Sequence, residues 1–107
     1  MLALPGFTQV TVSGSVENNG KRLDKATIRI YEDGKFDRTV NANNSFPRKG
    51  NFSFTLDVNH DYLIVLYRPF MVPRKIAIAT YIHEKVLAEN EEGVFLDFGP
   101  IPVFENF

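Results

Sequence analysis

The chain has 107 residues, 44% of them hydrophobic and 23% charged, with a formal charge of -1. That is enough chain for one domain around one core and too little for two. With no block of one charge sign, nucleic-acid binding loses its electrostatic footprint and a membrane-surface helix its basic face. No run approaches the ~18 apolar residues of a spanning helix, and the lack of cysteine excludes disulfides, thiol nucleophiles and thiolate metal sites.

In chain order, residues 1–8 read as a leader or signal remnant. Met1 to Gly6 is apolar and broken by Pro5-Gly6, as a cleavage region is, which favours a place outside the cytoplasm. Residues 9–107 then form a single domain. From Thr8 to Val16, the residues Val10, Val12, Gly14 and Val16 share one phase, which predicts a half-buried strand with a bulge or close backbone approach at Gly14. Asn19-Gly20 supplies a tight reversal. In Ala26–Tyr31 the residues Ala26, Ile28 and Ile30 face inward and Thr27, Arg29 and Tyr31 outward. Asp33-Gly34 turns the chain into Lys35–Val40, whose charges suit a sheet edge.

After an Asn-rich loop, Phe52, Phe54, Leu56 and Val58 alternate with Asn51, Ser53, Thr55 and Asp57. No helix collects those four apolar residues on one side, so this is a strand. Tyr62–Tyr67 is unbroken apolar sequence, as expected of a central strand covered on both faces or nearly so. Pro69 and Pro73 bracket a turn, Lys75–Tyr81 alternates again, and Ile82–Gly93 is charged with room for one or two helical turns. Val94–Phe98 is the last strand, and Pro100 and Pro102 confine the tail to an edge or an extended wrap. Seven short strands with frequent turn signals predict an all-β sandwich. Its expected core includes Val12, Ile28, Ile30, Phe52, Phe54, Leu56, Ile64, Leu66, Ile76 and Leu96.

Catalytic chemistry finds little material. His83-Glu84 opens like a zinc helix, but Leu87 stands where the second histidine belongs. Asp57, Asn59 and Asp61 repeat the opening of a calcium loop, yet Tyr62 replaces its glycine and Arg68 its final glutamate. An Asx-rich turn accounts for the same letters, and both readings stay open. Glu89, Glu91 and Glu92 form a solvated acidic stretch. No nucleophile elbow or phosphate loop occurs, so neither a catalytic residue nor a cofactor is expected. Tyr31 and Tyr67, with Tyr81, point outward and allow carbohydrate stacking, although tyrosines capping sandwich edges, ring half-buried and hydroxyl wet, are the favoured explanation.

Several segments together resemble the carboxypeptidase regulatory-like domain family. Val12-Ser13-Gly14-Ser15-Val16 followed by Gly20 to Ile28 is similar to the family's opening. Gly50-Asn51-Phe52-Ser53-Phe54 looks like its G-x-F-x-F strand, and Tyr62 through Lys75 is similar to its Y-x-I/L-x-x-x-K-P-G-Y-V-x-K segment. The resemblance spans Val10 to Thr80. It implies a seven-stranded, Greek-key, transthyretin-like sandwich, and a bacterial envelope setting. There such domains act as non-catalytic structural or protein-interaction modules. The chain departs from the pattern in carrying Phe70-Met71 for Gly-Tyr. These two residues are therefore expected to form an apolar tip that contacts a protein partner; a carbohydrate ligand on Tyr31 and Tyr67 is the alternative.

Overall fold

The computed structural model describes residues 9–82, 85–86 and 93–105. The leader, His83-Glu84 and the acidic stretch Glu89, Glu91 and Glu92 lie outside the described residues, as does most of the proposed helical segment.

The described chain is all-β and sandwich-like, with two four-stranded sheets. In the first sheet, β1 (Gln9–Asn18) takes β2 (Lys21–Arg22) and β5 (Asn51–Asp57) as antiparallel partners and β8 (Val94–Pro102) as a parallel one. The second runs β4-β3-β6-β7, all antiparallel: β3 is Thr27–Glu32, β4 Lys35–Asn41, β6 Asp61–Tyr67 and β7 Arg74–Ala79. The expected count of seven omits β2, whose two exposed residues carry no alternation to be seen. The last strand also runs beyond Phe98 to Pro102, since an edge strand tolerates proline where no ladder donor is needed.

The turns are set by residues that accept a left-handed backbone. Asn19 and Gly20 have φ of 52° and 78°, and Asp33 and Gly34 have 49° and 84°. Two successive positive φ angles match the right-handed twist of the strands they join. Gly14 has both properties its position suggests. The β1–β8 register shifts between Ser13 and Ser15, and a Cβ at Gly14 would stand 2.8 Å from the ring of Phe52.

Between the sheets, Val10, Val12, Val16, Phe52, Phe54 and Leu56 meet Ile28, Ile30, Ile64, Leu66 and Ile78. Ile101 and Val103 from the tail complete this core. Two expected core residues differ. Ile76 is only half-buried, and Leu96 is 37% exposed. Both lie on strands with a single neighbour, β7 and β8, where an inward phase does not guarantee cover. β6 also departs from expectation. It is central, but it alternates buried and open positions, because only its inner face has a second sheet against it.

One polar link joins the two sheets, and another ties the β2–β3 connection to the end of β6. The Arg38 guanidinium on β4, steadied by Asp37 at 2.6 Å, donates to the carbonyl of Thr55 on β5. Arg68 donates to the backbone carbonyl of Asp24 at 2.8 Å and to its carboxylate at 3.0 Å. The second contact holds the Asp24 carboxyl below its usual range. Tyr62 is buried with its hydroxyl satisfied: it donates to Glu32 at 2.6 Å and accepts from the Asp57 amide at 3.0 Å. Burial and the Glu32 carboxylate push its ionisation far above the ordinary phenol range.

Candidate functional site

The outer faces of the two sheets differ in kind. On the first sheet, Ser13 lies opposite Ser53 and Thr11 opposite Thr55, a hydroxyl-lined surface. A shallow depression of about 470 Å³ opens there beside Gly14, with Ser13, Ser53, Arg48 and Asp97 among its walls. Among the described residues no histidine lines it, and one Asp97 carboxylate oxygen accepts from the Gly99 amide at 2.9 Å.

The outer face of the second sheet is apolar at its centre and charged on either side. Strand pairing sorts it into rows about 7 Å apart, two residues of strand rise. The upper row pairs Thr27 with Tyr67. Next, Arg29 and Lys75 flank Val65. The middle row is Phe36, Tyr31, Leu63 and Ala77. Below it Asp61 pairs with Ala79, and the Asp61 amide donates to the Asp33 carboxylate at 2.9 Å, which places the two acids together. Phe36, Leu63 and Tyr67 are 58%, 37% and 42% exposed. A sheet face open to water ordinarily alternates to polar residues, so this one is unusual.

Both candidate stacking tyrosines lie on this face, and both rings already have neighbours. Tyr31 meets Phe36 edge-on at 5.6 Å between centroids, and the Arg29 guanidinium sits 5.9 Å from the Tyr67 ring. Tyr81 is exposed and donates to the Asp61 carboxylate at 3.2 Å.

The Pro69–Pro73 turn separates the two residues expected at its tip. Phe70 is 90% exposed, whereas Met71 is half-buried against the core and bridges to Glu105. The exposed apolar group at this end is Phe70 with Val72 and Phe104, joined by the Val72 amide donating to the Phe104 carbonyl at 2.8 Å. Phe70 takes φ of 67°. That left-handed backbone costs about 1–2 kcal/mol of strain for a residue with a Cβ.

The Asp57-Asn59-Asp61 segment is organised by local hydrogen bonds. Asn59 has φ of 67°. The Thr80 hydroxyl donates to the Asp57 carbonyl at 2.6 Å, and the Asn59 amide donates to the Thr80 carbonyl at 2.8 Å. Among the described residues no group of three acidic or histidine side chains converges as metal ligands do. His60 in the same turn contacts Asp33 at 2.6 Å. The Asp33 carboxylate, with Glu32 and Asp57 nearby, raises the His60 pKa above its ordinary 6.5. Hydrogen bonds from the Asp61 amide and from His60 lower that of Asp33 below 3.8.

This pair predicts a stability window. The raised His60 pKa gives a contribution fully present below pH 6.5 and lost as pH rises through the folded value. The lowered Asp33 pKa gives one present above 3.8 and lost on acidification. Thermal melts of the wild type and His60→Gln should therefore differ most between these limits and converge above neutrality. A constant difference from acid to alkaline pH would contradict the ion pair.

Compared with known proteins, the chain matches no family model and no curated sequence.

Proposed function

We propose that this chain is a non-catalytic protein-contact module, a transthyretin-like Greek-key domain that works outside the cytoplasm in a larger envelope assembly. The observation that carries the reading is Phe70. At φ 67° and 90% exposure it costs backbone strain and bare apolar surface together, and contributes little packing to the fold. Strain of this kind persists where function requires it. The envelope setting and the topology rest on the sequence resemblance and on the signal-like leader. Among the described residues no histidine lines the hydroxyl-lined depression, and one oxygen of its Asp97 carboxylate already accepts from the Gly99 amide, which favours a non-catalytic role.

Cross-linking in the native cell after fractionation tests the reading, with wild type compared against Phe70→Ser. An envelope-fraction cross-link that weakens in the variant is expected. Recovery only in the cytosol, with no partner in either case, overturns it. Carbohydrate binding is the alternative, favoured by Tyr31 and Tyr67 sharing one face and disfavoured by the neighbours those rings already have. Saturable glycan binding lost on Tyr67→Ala would replace the contact reading.

A further inference from the structure

We infer that the outer face of the β4-β3-β6-β7 sheet binds a second copy of this chain, face to face about a two-fold axis through the Leu63 row. The order of the rows makes the face complementary to itself. One row above the apolar centre stand two cations, Arg29 and Lys75; one row below stands Asp61, with Asp33 and its partner His60 against it. A two-fold axis across the strands at Leu63 lays Phe36, Tyr31, Leu63 and Ala77 on their own counterparts. The same rotation carries the cation row of each copy onto the acidic row of the other.

A partner of one charge sign would be repelled at one of the two rows, whereas an antiparallel copy matches both. The surface is self-complementary in the sense an isologous dimer requires. Two twisted sheets pack in this way with their strands inclined by about 30°. Burial of Leu63, Phe36 and Tyr67 supplies the attraction, and the charged rows fix the register.

Sedimentation velocity of the pure chain, from low micromolar to several hundred micromolar, reads the result directly. Concentration-dependent dimerisation is expected. Leu63→Lys should raise the dissociation constant on the order of thirtyfold or more, as loss of a central contact does. Arg29→Asp and Asp61→Arg should each weaken the dimer on the order of tenfold, because each sets like charges across the interface. The double variant should recover part of the loss, since the two-fold axis sets position 29 over Asp33 and beside position 61 of the other copy; simple destabilisation of the fold would not give such a rescue. Thermal melts check that each variant is folded, and Phe70→Ser should dimerise like the wild type. A monomer at every concentration overturns the inference, and so does a dimer indifferent to Leu63→Lys or a double variant without rescue. Because Phe70 lies outside this face, a monomeric chain that still cross-links through Phe70 would refute the dimer and leave the contact reading standing.

Discussion

Phe54→Ala is expected to lower stability by about 3–5 kcal/mol, measured by urea denaturation followed by circular dichroism. The Phe54 side chain is 7% exposed and stacks on Phe52 with centroids 5.9 Å apart and planes at 15°. Its neighbours are strand residues held by ladder bonds on β1 and β5, so the cavity cannot close by local collapse. A domain of this size has roughly 5–15 kcal/mol in all, and the variant would stand near the edge of folding. Phe95→Ala is the control. That ring is 65% exposed on β8, and its removal should change stability by no more than about 0.5 kcal/mol. Equal effects at the two positions would contradict the packing described.

Gly50→Ala should cost about 2–4 kcal/mol by the same measurement, combining left-handed backbone strain with overpacking. Gly50 has φ of 84°, and a Cβ there would meet the carbonyl oxygens of Val16 at 3.0 Å and Leu23 at 3.2 Å. Both are backbone atoms without a rotamer to yield. The residue also joins the Asn-rich loop to β1: its amide donates to Asn43 at 2.7 Å, and its carbonyl accepts from Val16 at 3.0 Å. Gly20→Ala is the comparison. It carries a similar φ of 78° with nothing within 4 Å of the added carbon, so it should show the strain alone, about 1–2 kcal/mol. If the two substitutions cost the same, the crowding at Gly50 is not what the geometry implies.

What the sequence disclosed follows from which signals are local. The alternation of Phe52, Phe54 and Leu56 is a local property, and these residues are buried on one face. The Asn19-Gly20 and Asp33-Gly34 reversals are equally local. The exposure of Leu63, Val65 and Tyr67 is not, because an unbroken apolar run reads the same whether one face or both are covered. Leu96 shares a phase with buried Val12, its partner across the β1–β8 pair, but its exposure depends on strand order, which no periodicity records. β2 is too short to have a period at all. Of the candidate site, the outward direction of Tyr31 was legible from strand phase. The face it shares with Tyr67, and the charged rows on either side of Leu63, required the pairing of three strands distant in sequence. The left-handed Phe70 was not legible, since nothing in its own chemistry favours that conformation.

The parallel pairing of β1 with β8 has a consequence for synthesis. β1 is the hub of its sheet, and its contact with the far end of the chain is closed by Asn18 donating to the Val103 carbonyl, 85 positions away. As the polypeptide leaves the ribosome, β1 emerges first among the described strands and finds β5 half a chain later, while one of its flanks stays unpaired until β8 arrives. The antiparallel sheet of β3, β4, β6 and β7 has no such wait, since each strand meets its neighbours as soon as β6 and then β7 are made. Nascent chains that have emerged beyond Ala79 but not yet to Val94 should therefore hold one finished sheet and one with a bare, valine-rich flank, the species most exposed to association with its neighbours on a polysome.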